Sequence, residues 1–444
     1  MKPGMTSGRP STQQLALTVL IILALLPTCL WWITHVESSL RENNTSSWHT
    51  FALLIGILGS SLWAMTLWFI VRLPWQDRIF GGLDQVYFLH HLMGGLAYVL
   101  LLAHPLALVL GRWAISPEAA AAFLFPAVKP FAIFAGWLAL LALMGVMFAT
   151  FLWKLPYVLW KHLHAGSAVA YALAIHHIVA VAPTAVWSEL GHILLASYGI
   201  LGVATLGYRF LIERAWVQRY DYVVQTVTPL NDKTVQVKMT PLGEQLAFEP
   251  GQFVFVAFFD GRDYKGCAEF HPFTVSSGPG ETNLSVIIKA LGDCTCRIQR
   301  MTPGVLARVQ GPYGAFFKGA ATRQPQVWVA GGIGITPFLS MARSLTEQAA
   351  PVDLYYLARN PDDFIGLDDL RAVANRFNNF RVFPLTAGDD QRPTIEAMLR
   401  HSGPLADRVF FLCGPLPMVN ELTVRLEGLG VPAAHVHTER FDFR

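Results

Sequence analysis

The first half of the chain contains six apolar stretches of about 20 residues, at roughly 14–34, 49–71, 87–110, 130–153, 163–183 and 189–211. At 1.5 Å per helical residue, each can cross a hydrocarbon core of ~30 Å. Inside that core every backbone amide needs an internal partner, so such stretches are expected to be helices. Charge divides the same way. Only 19 of the 63 Asp, Glu, Lys and Arg residues precede residue 220, and the whole chain is 53% hydrophobic and 14% charged, against about 25% charged in an ordinary soluble domain. A membrane part is therefore followed by a soluble part, joined near residue 215. The first stretch exceeds the ~7–15-residue apolar core of a cleaved signal, and no small-x-small site follows it, so it is expected to be retained.

Six spans place Lys2, Arg9, Arg72, Arg78, Lys154, Lys161, Arg209, Arg214 and Arg219 on one side and Arg41, Arg112 and Lys129 on the other. The positive-inside rule then puts both termini and the whole soluble part in the cytoplasm of an integral membrane protein, with a bacterial inner or plasma membrane as the expected location. The net charge is +3 and the soluble part shows no basic stripe, which argues against nucleic acid as a partner. Five cysteines without a CxxC pair predict neither a disulfide framework nor a zinc site, and suit a reducing compartment.

Histidines interrupt two of the apolar stretches: His90, His91 and His104 in the third, and His162, His164, His176 and His177 at the fifth. A lone intramembrane histidine is most often an interhelical hydrogen-bonding group. Here two helices each carry histidines 13–14 residues apart, about 20 Å along the axis, so each offers an imidazole near either bilayer face. Paired across the helices, they make two stacked bis-histidine sites, the axial ligation of a b-type haem. Fourteen residues return to within about 40° of one helix face, which His90–His104 satisfies. In the fifth stretch the same geometry favours His162–His176.

From about 220 the sequence changes to short β-branched and aromatic runs. VVQTVTPL, TVQVKMT, QFVFVAFF, FTVSS, NLSVIIKA and LARVQGPYG predict six strands, compatible with a small antiparallel barrel. From 326, QVWVA precedes GGIGITPFLSMARSL, VDLYYLAR precedes a polar helical segment, and RVFFLCGP precedes another helix, the alternation of a parallel α/β sheet. Four motifs fall on this frame: HPFTVSS (271–277), IKALGDCT (288–295), GGIGITP (331–337) and CGP (413–415). Alone, the first could be a strand turning a barrel corner and the third a structural turn. Together, the second offers a nest for a pyrophosphate, the third opens a helix toward a dinucleotide phosphate, and the fourth sits at the sheet edge where ligands bind.

LHHLMGGLAYVLLLAHPL (89–106) and YVLWKHLHAGSAVAYALAIHHI (157–178) resemble the haem helices of the ferric reductase and NADPH oxidase superfamily. The resemblance rests on His90 with Gly94 four residues on, and on Tyr157, Trp160, Lys161, Leu163 and His164. It implies haem ligation by His90, His104, His164 and His177, with His90–His164 on the cytoplasmic side and His104–His177 on the outer side. The 13-residue pair then requires a bend or local overwinding.

The four later motifs, in their order, resemble the ferredoxin–NADP reductase module used in the same superfamily. The resemblance implies that His271, Pro272, Phe273, Thr274 and Ser276 hold the flavin and ribityl side of FAD, with Gly292, Asp293 and Thr295 near its pyrophosphate. Gly331, Gly332, Gly334, Thr336 and Pro337 would receive NAD(P)H, with Cys413, Gly414 and Pro415 beside the nicotinamide. The tail HTERFDFR matches the family's C-terminal Glu-x-aromatic at Glu439 and Phe441, and implies that Phe441 covers the flavin ring; the alternative is a packed terminal strand. Arg359, closing VDLYYLAR, could pair with a 2′-phosphate or be a surface residue.

The expected fold is thus a six-helix transmembrane bundle (1–215), an antiparallel β-barrel FAD domain (216–320) and an α/β Rossmann-like NAD(P)H domain (321–444). The expected function is transmembrane electron transfer from cytosolic NAD(P)H through FAD and two b-type haems to an outer acceptor. Leu108 stands where animal NADPH oxidases carry a further histidine, and residues 49–71 hold no arginine. The acceptor therefore stays open between dioxygen, giving superoxide, and a ferric complex. Two alternatives remain: a membrane-anchored cytosolic reductase serving a protein partner, or a flavin-regulated six-helix carrier. The carrier would need intramembrane carboxylates, and the spans offer only Glu189 at a boundary. No EF-hand loop or basic tail calls for an obligatory regulatory subunit.

Overall fold

The computed structural model describes residues 12–39, 47–71, 74–80, 82–124, 131–153, 155–181, 189–212, 217–316, 323–386 and 395–439. The expected linker near residue 215 and the expected flavin-covering Phe441 lie outside these residues. The chain divides into two compact units, Met1–Leu73 with Gln85–Trp216, and Pro74–Asp84 with Val217–Arg444.

The first unit is helical. Its helices are α1 (Thr12–Ser39), α2 (Ser47–Trp68), α4 (Leu83–Trp113), α5 (Pro117–Leu124), α6 (Phe131–Phe151), α7 (Tyr157–Ala165), α8 (Ser167–Val181) and α9 (Glu189–Gly207), while α3 (Pro74–Phe80) falls in the second unit. Five apolar segments among the described residues are long enough to cross a membrane: Gln14–Ile33, Ser47–Trp68, Gln85–Trp113, Phe131–Phe151 and Leu159–Val181. At the sixth predicted span, α9 holds the apolar segment Ile193–Gly207 and passes into a π turn at Tyr208–Ile212.

Small residues set the packing. On α2, Ala52, Gly56 and Gly59 share one face by helical spacing, and a Cβ on Gly59 would lie 3.0 Å from Leu101 of α4. Such a face lets two backbones approach closely in a lipid environment that supplies no hydrophobic drive between helices. The fifth span is not one continuous helix. It breaks at Gly166, where the Gly166 N–H donates to Leu163 O (2.9 Å) and the Val169 N–H to Gly166 O (3.0 Å). Both are three-residue bonds, the tighter winding of a 3₁₀ turn.

The second unit holds two sheets. β1 (Arg219–Asn231), β2 (Thr234–Pro241), β3 (Phe253–Phe258), β4 (His271–Thr274), β5 (Leu284–Lys289) and β6 (Leu306–Tyr313) form a six-stranded sheet in the order β4-β3-β6-β1-β2-β5. Its pairings are antiparallel, and its two edges meet at a single bridge, Val275–Val286. All six predicted strands are present. Alternate residues such as Val237, Met239, Val254, Val256, Val286 and Ile288 build its core. The short helix α10 (Asp293–Ile298) follows β5.

The second sheet is parallel, in the order β11-β10-β7-β8-β9, from β7 (Gln326–Gly331), β8 (Val352–Ala358), β9 (Phe380–Thr386), β10 (Val409–Cys413) and β11 (Val436–Glu439). Its helices are α11 (Thr336–Arg343), α12 (Leu367–Arg376), α13 (Ile395–Ser402) and α14 (Leu416–Gly428). Hydrophobic clusters cover both faces, Trp328, Phe338 and Phe411 in one and Val329, Tyr355 and Phe410 in the other, which is why β7 and β10 are continuously apolar. β9 was not predicted, and β11 overlaps the terminal strand that was the alternative reading of the tail. Pro384 interrupts the β9 pattern and is tolerated because β9 is an edge strand, and β11 has only four residues.

The cysteine expectation needs correction. Cys267 and Cys294 form a disulfide with Cα atoms 5.9 Å apart. Residue 267 precedes β4 and residue 294 lies in α10, and it is the fold that makes them neighbours; a separation of 27 residues carries no signal of its own. Cys29, Cys296 and Cys413 are free thiols.

Candidate functional site

In the membrane unit, each doublet of histidines resolves into one half-buried ring and one exposed ring. His90, His104, His164 and His177 are partly buried, whereas His91, His162 and His176 are exposed. The four inner rings share one feature: each Nδ1 meets an oxygen that accepts. His104 Nδ1 donates to Ala52 O (2.7 Å), His177 Nδ1 to Ala132 O (2.8 Å) and His90 Nδ1 to Thr66 O (3.0 Å). A carbonyl has no proton to give, so these rings carry theirs on Nδ1. His164 Nδ1 lies 3.2 Å from Thr150 Oγ1, whose own proton goes to Val146 O, which again leaves the ring as donor. In all four, Nε2 is then the unprotonated nitrogen, and the oxygen at Nδ1 fixes the ring's orientation.

The rings are also seated by glycine. A Cβ on Gly56 would lie 2.6 Å from His104 Nδ1, and one on Gly136 2.8 Å from His177 Nδ1. Each glycine stands four residues after the carbonyl that holds the same ring, Ala52 and Ala132. Two helices thus repeat one device. On the other pair, Gly94 lets α4 close onto Thr66, 3.3 Å from a built Cβ, and Trp160 stacks on His164 at 5.2 Å.

The His90 and His164 ring centres are 6.2 Å apart. Two metal–nitrogen bonds of about 2 Å plus the distance from each nitrogen to its ring centre come to about 6 Å, so a bis-histidine iron fits between them. The predicted overwinding of the fifth span is the 3₁₀ break at Gly166, which lies between His164 and His177. His162–His176, preferred by ideal helix geometry, is not the buried pair, because the span is not an ideal helix.

In the second unit the predicted dinucleotide residues gather at the carboxyl edge of the parallel sheet. β7 continues to β8 and β9 on one side, while β10 and β11 lie on the other, so the order reverses between β7 and β10. That is the place where open α/β sheets bind ligands. There the two Gly-rich turns pack backbone against backbone: a Cβ on Gly334 would lie 2.4 Å from Cys413 O, and one on Gly331 2.7 Å from Pro415. Gly332 is left-handed (φ +55°) with nothing within 4 Å of a built Cβ, leaving the turn open to an approaching phosphate. Thr336 and Pro337 begin α11, and Arg359 is exposed just past β8.

Cys413 is fully buried and stands opposite Glu439 of β11. Burial first, and the neighbouring Glu439 second, push its thiol well above the ordinary value. Cys413 is therefore a neutral, small side chain rather than a nucleophile.

On the antiparallel sheet, Thr274 Oγ1 and Ser276 Oγ are buried and make no hydrogen bond among the described residues. A buried hydroxyl left unpaired is costly, so these two mark where a polar ligand belongs, and FAD fits. Thr295 shapes the loop of the second motif: its Oγ1 accepts from the Leu291 and Gly292 N–H groups, both at 2.9 Å, beside Asp293. Arg343 joins the two sheets, donating to Ser276 O and to Asp369 Oδ2, and Ser340 donates to Ser277 O (2.7 Å). Sequence reading missed this strut, and also Ala52, Ala132, Gly56 and Gly136. Glycine and alanine are common in membrane helices, so only the three-dimensional pairing reveals them.

Known families match the chain in three consecutive pieces: a ferric reductase like transmembrane component over 55–175, an FAD-binding domain over 220–327 and an oxidoreductase NAD-binding domain over 328–423. Ferredoxin–NADP reductase B of Sorangium cellulosum is 31% identical over 220 residues, 45% of this chain and 88% of that protein. The ferredoxin–NAD(P)(+) reductase component of the naphthalene 1,2-dioxygenase/salicylate 5-hydroxylase systems of a Ralstonia species is 26% identical over 234 residues, 49% of this chain and 68% of that one. Among solved structures, a flavohemoglobin from Malassezia yamatoensis aligns over 97% of this chain and 98% of its own with a TM-score of 0.50 and 17% identity, a likeness of fold alone. Fold and site together define an NAD(P)H- and FAD-dependent oxidoreductase module attached to a ferric-reductase-like membrane component. The chain belongs to the ferredoxin–NADP reductase family.

Proposed function

We propose that this oxidoreductase carries electrons from cytosolic NAD(P)H to an acceptor on the opposite side of a bacterial membrane that it crosses six times, with both termini in the cytoplasm. His90 with His164, and His104 with His177, each hold a b-type haem. The observation that carries this reading is the shared proton arrangement of those four rings, each with Nδ1 committed to an oxygen and Nε2 left to bind iron.

His271, Pro272, Phe273, Thr274 and Ser276 hold the flavin and ribityl side of FAD, and the loop of Gly292, Asp293 and Thr295 lies along its pyrophosphate. Gly331, Gly332, Gly334, Thr336 and Pro337 receive the nicotinamide dinucleotide, Arg359 its 2′-phosphate. Cys413, Gly414 and Pro415 border the nicotinamide, and Phe441 covers the flavin until hydride is delivered. FAD supplies the conversion of a two-electron hydride into single electrons, which a haem accepts one at a time. Because both rings of each pair would ligate iron, no coordination position is left open. The acceptor, dioxygen or a ferric complex, would then take its electron at the haem edge.

A second reading is supported by the relatives, one of which is named a reductase component of a dioxygenase system: a membrane-anchored flavin reductase that serves a protein partner. One measurement separates the two. A pyridine haemochrome assay on purified protein should give two haems b per FAD. NAD(P)H-dependent dye reduction by a haem-free preparation would instead establish the partner reading.

A further inference from the structure

A second group of donors lies outside the histidine pairs. Glu269, His271 and Cys294 each bring one ligand atom to within 4.8 Å of the others, and Cys267 is joined to Cys294. All four side chains are half-buried. Cys267, Glu269 and His271 alternate along the segment entering β4, while Cys294 comes from α10. Between them, Ala268 holds φ +52°, and no other non-glycine residue has positive φ among the described residues. Its N–H is tied to Phe258 O (3.0 Å). A left-handed alanine costs on the order of 1–2 kcal/mol, and such strain collects where a site fixes the backbone.

We propose that, once the disulfide is reduced, Cys267, Glu269, His271 and Cys294 form a four-donor site for a thiophilic divalent cation of the zinc class. Two thiolates, an imidazole and a carboxylate match the tetrahedral preference of that ion; calcium and magnesium would demand oxygen throughout. A dithiol gives two electrons and two protons to the S–S bond, becoming a cyclic disulfide and leaving two protein thiols. The cation then displaces both thiol protons. Sharing one cation at about 2.3 Å needs the sulfurs only about 3.7 Å apart, a shift that side-chain rotation can supply. On the cytoplasmic side proposed above for this unit, the surrounding thiol pool would supply that reduction. Occupancy pins the head of β4 to the loop at Gly292, whichever reading of the membrane unit holds.

Full-length, FAD-loaded protein is reduced with a small dithiol, desalted without oxygen, exposed to zinc and desalted again. One zinc per chain is expected, with two sulfurs at about 2.3 Å in zinc-edge X-ray absorption. Protein left oxidised, and the Cys267→Ser/Cys294→Ser variant, should retain none. Three results would overturn the proposal: no zinc on reduced protein, equal zinc on oxidised and reduced protein, or a zinc edge without sulfur. The comparison of oxidised with reduced wild type needs no variant, so it stands even where the double substitution disturbs folding.

Discussion

The two units present their chemistry in opposite ways. In the membrane unit the proposed site is made of side chains, four imidazoles in an apolar setting, whose Nδ1 protons are held by three backbone oxygens and the Thr150 hydroxyl. In the reductase unit the groups at the sheet edge are mostly backbone, packed closely at Gly331, Gly334 and Gly414 and left open at Gly332, and the buried Cys413 beside them is small and neutral. A side chain can be deleted cleanly, whereas a backbone site can only be crowded. Substitutions should therefore read out differently in the two halves.

The largest effect is expected from His104→Ala or His177→Ala. Either should remove one haem of two and abolish outward electron delivery, while NAD(P)H-dependent dye reduction stays within about twofold; an unchanged haemochrome and outward current would break the contrast. Gly334→Val is the mirror experiment. Crowding Cys413 O should cost a few kcal/mol, so dye reduction should fall about a hundredfold with haem content intact. Gly56→Ala and Gly136→Ala should be milder, weakening retention of one haem by roughly 10–100-fold without touching the other. Equal loss of both haems would show that the glycines support the bundle rather than a ring.

Smaller effects test the sheet edge further. Arg359→Ala should raise KM for NADPH by roughly tenfold, the worth of one charge-assisted contact, and leave KM for NADH unchanged; equal shifts would remove the phosphate contact. Smallest is a pH effect at His437, which stacks on Phe411 (4.9 Å). Burial, and then the nearby His435, hold its imidazole below the ordinary 6.5. The unfolded chain binds the proton more readily, so stability is lost as pH falls through 6.5. His437→Gln should flatten the decline in Tm between pH 7 and 5.5 by about a degree or two.

Legibility in the sequence follows the same contrast. The four inner histidines stood out because an ionisable group is conspicuous among apolar neighbours, and both sheets were readable from strand alternation and the strand–turn–helix rhythm. The choice within the doublets of the fifth span came from the family resemblance alone, since ideal helix geometry favoured His162–His176. The seating of all four rings depends on Ala52, Ala132, Thr66 and Thr150, whose oxygens lie 14–52 residues away and are chemically ordinary. The Cys267–Cys294 contact and the Arg343 strut were hidden for the same reason: each exists only once distant segments are brought together.

The break at Gly166 settles a matter of levels. His90 and His104 are separated by 14 residues of α-helix, about 21 Å of climb. Their counterparts have only 13, which in a regular helix would leave the upper ring some 140° astray and about 1.5 Å short. Each residue wound at three per turn adds about 20° and 0.5 Å, so the two three-residue bonds at Gly166 act in the direction that both deficits require. A glycine that looks like an interruption thus brings two unequal ladders to matching rungs, and lengthening the fifth span by one residue would undo the match rather than improve it.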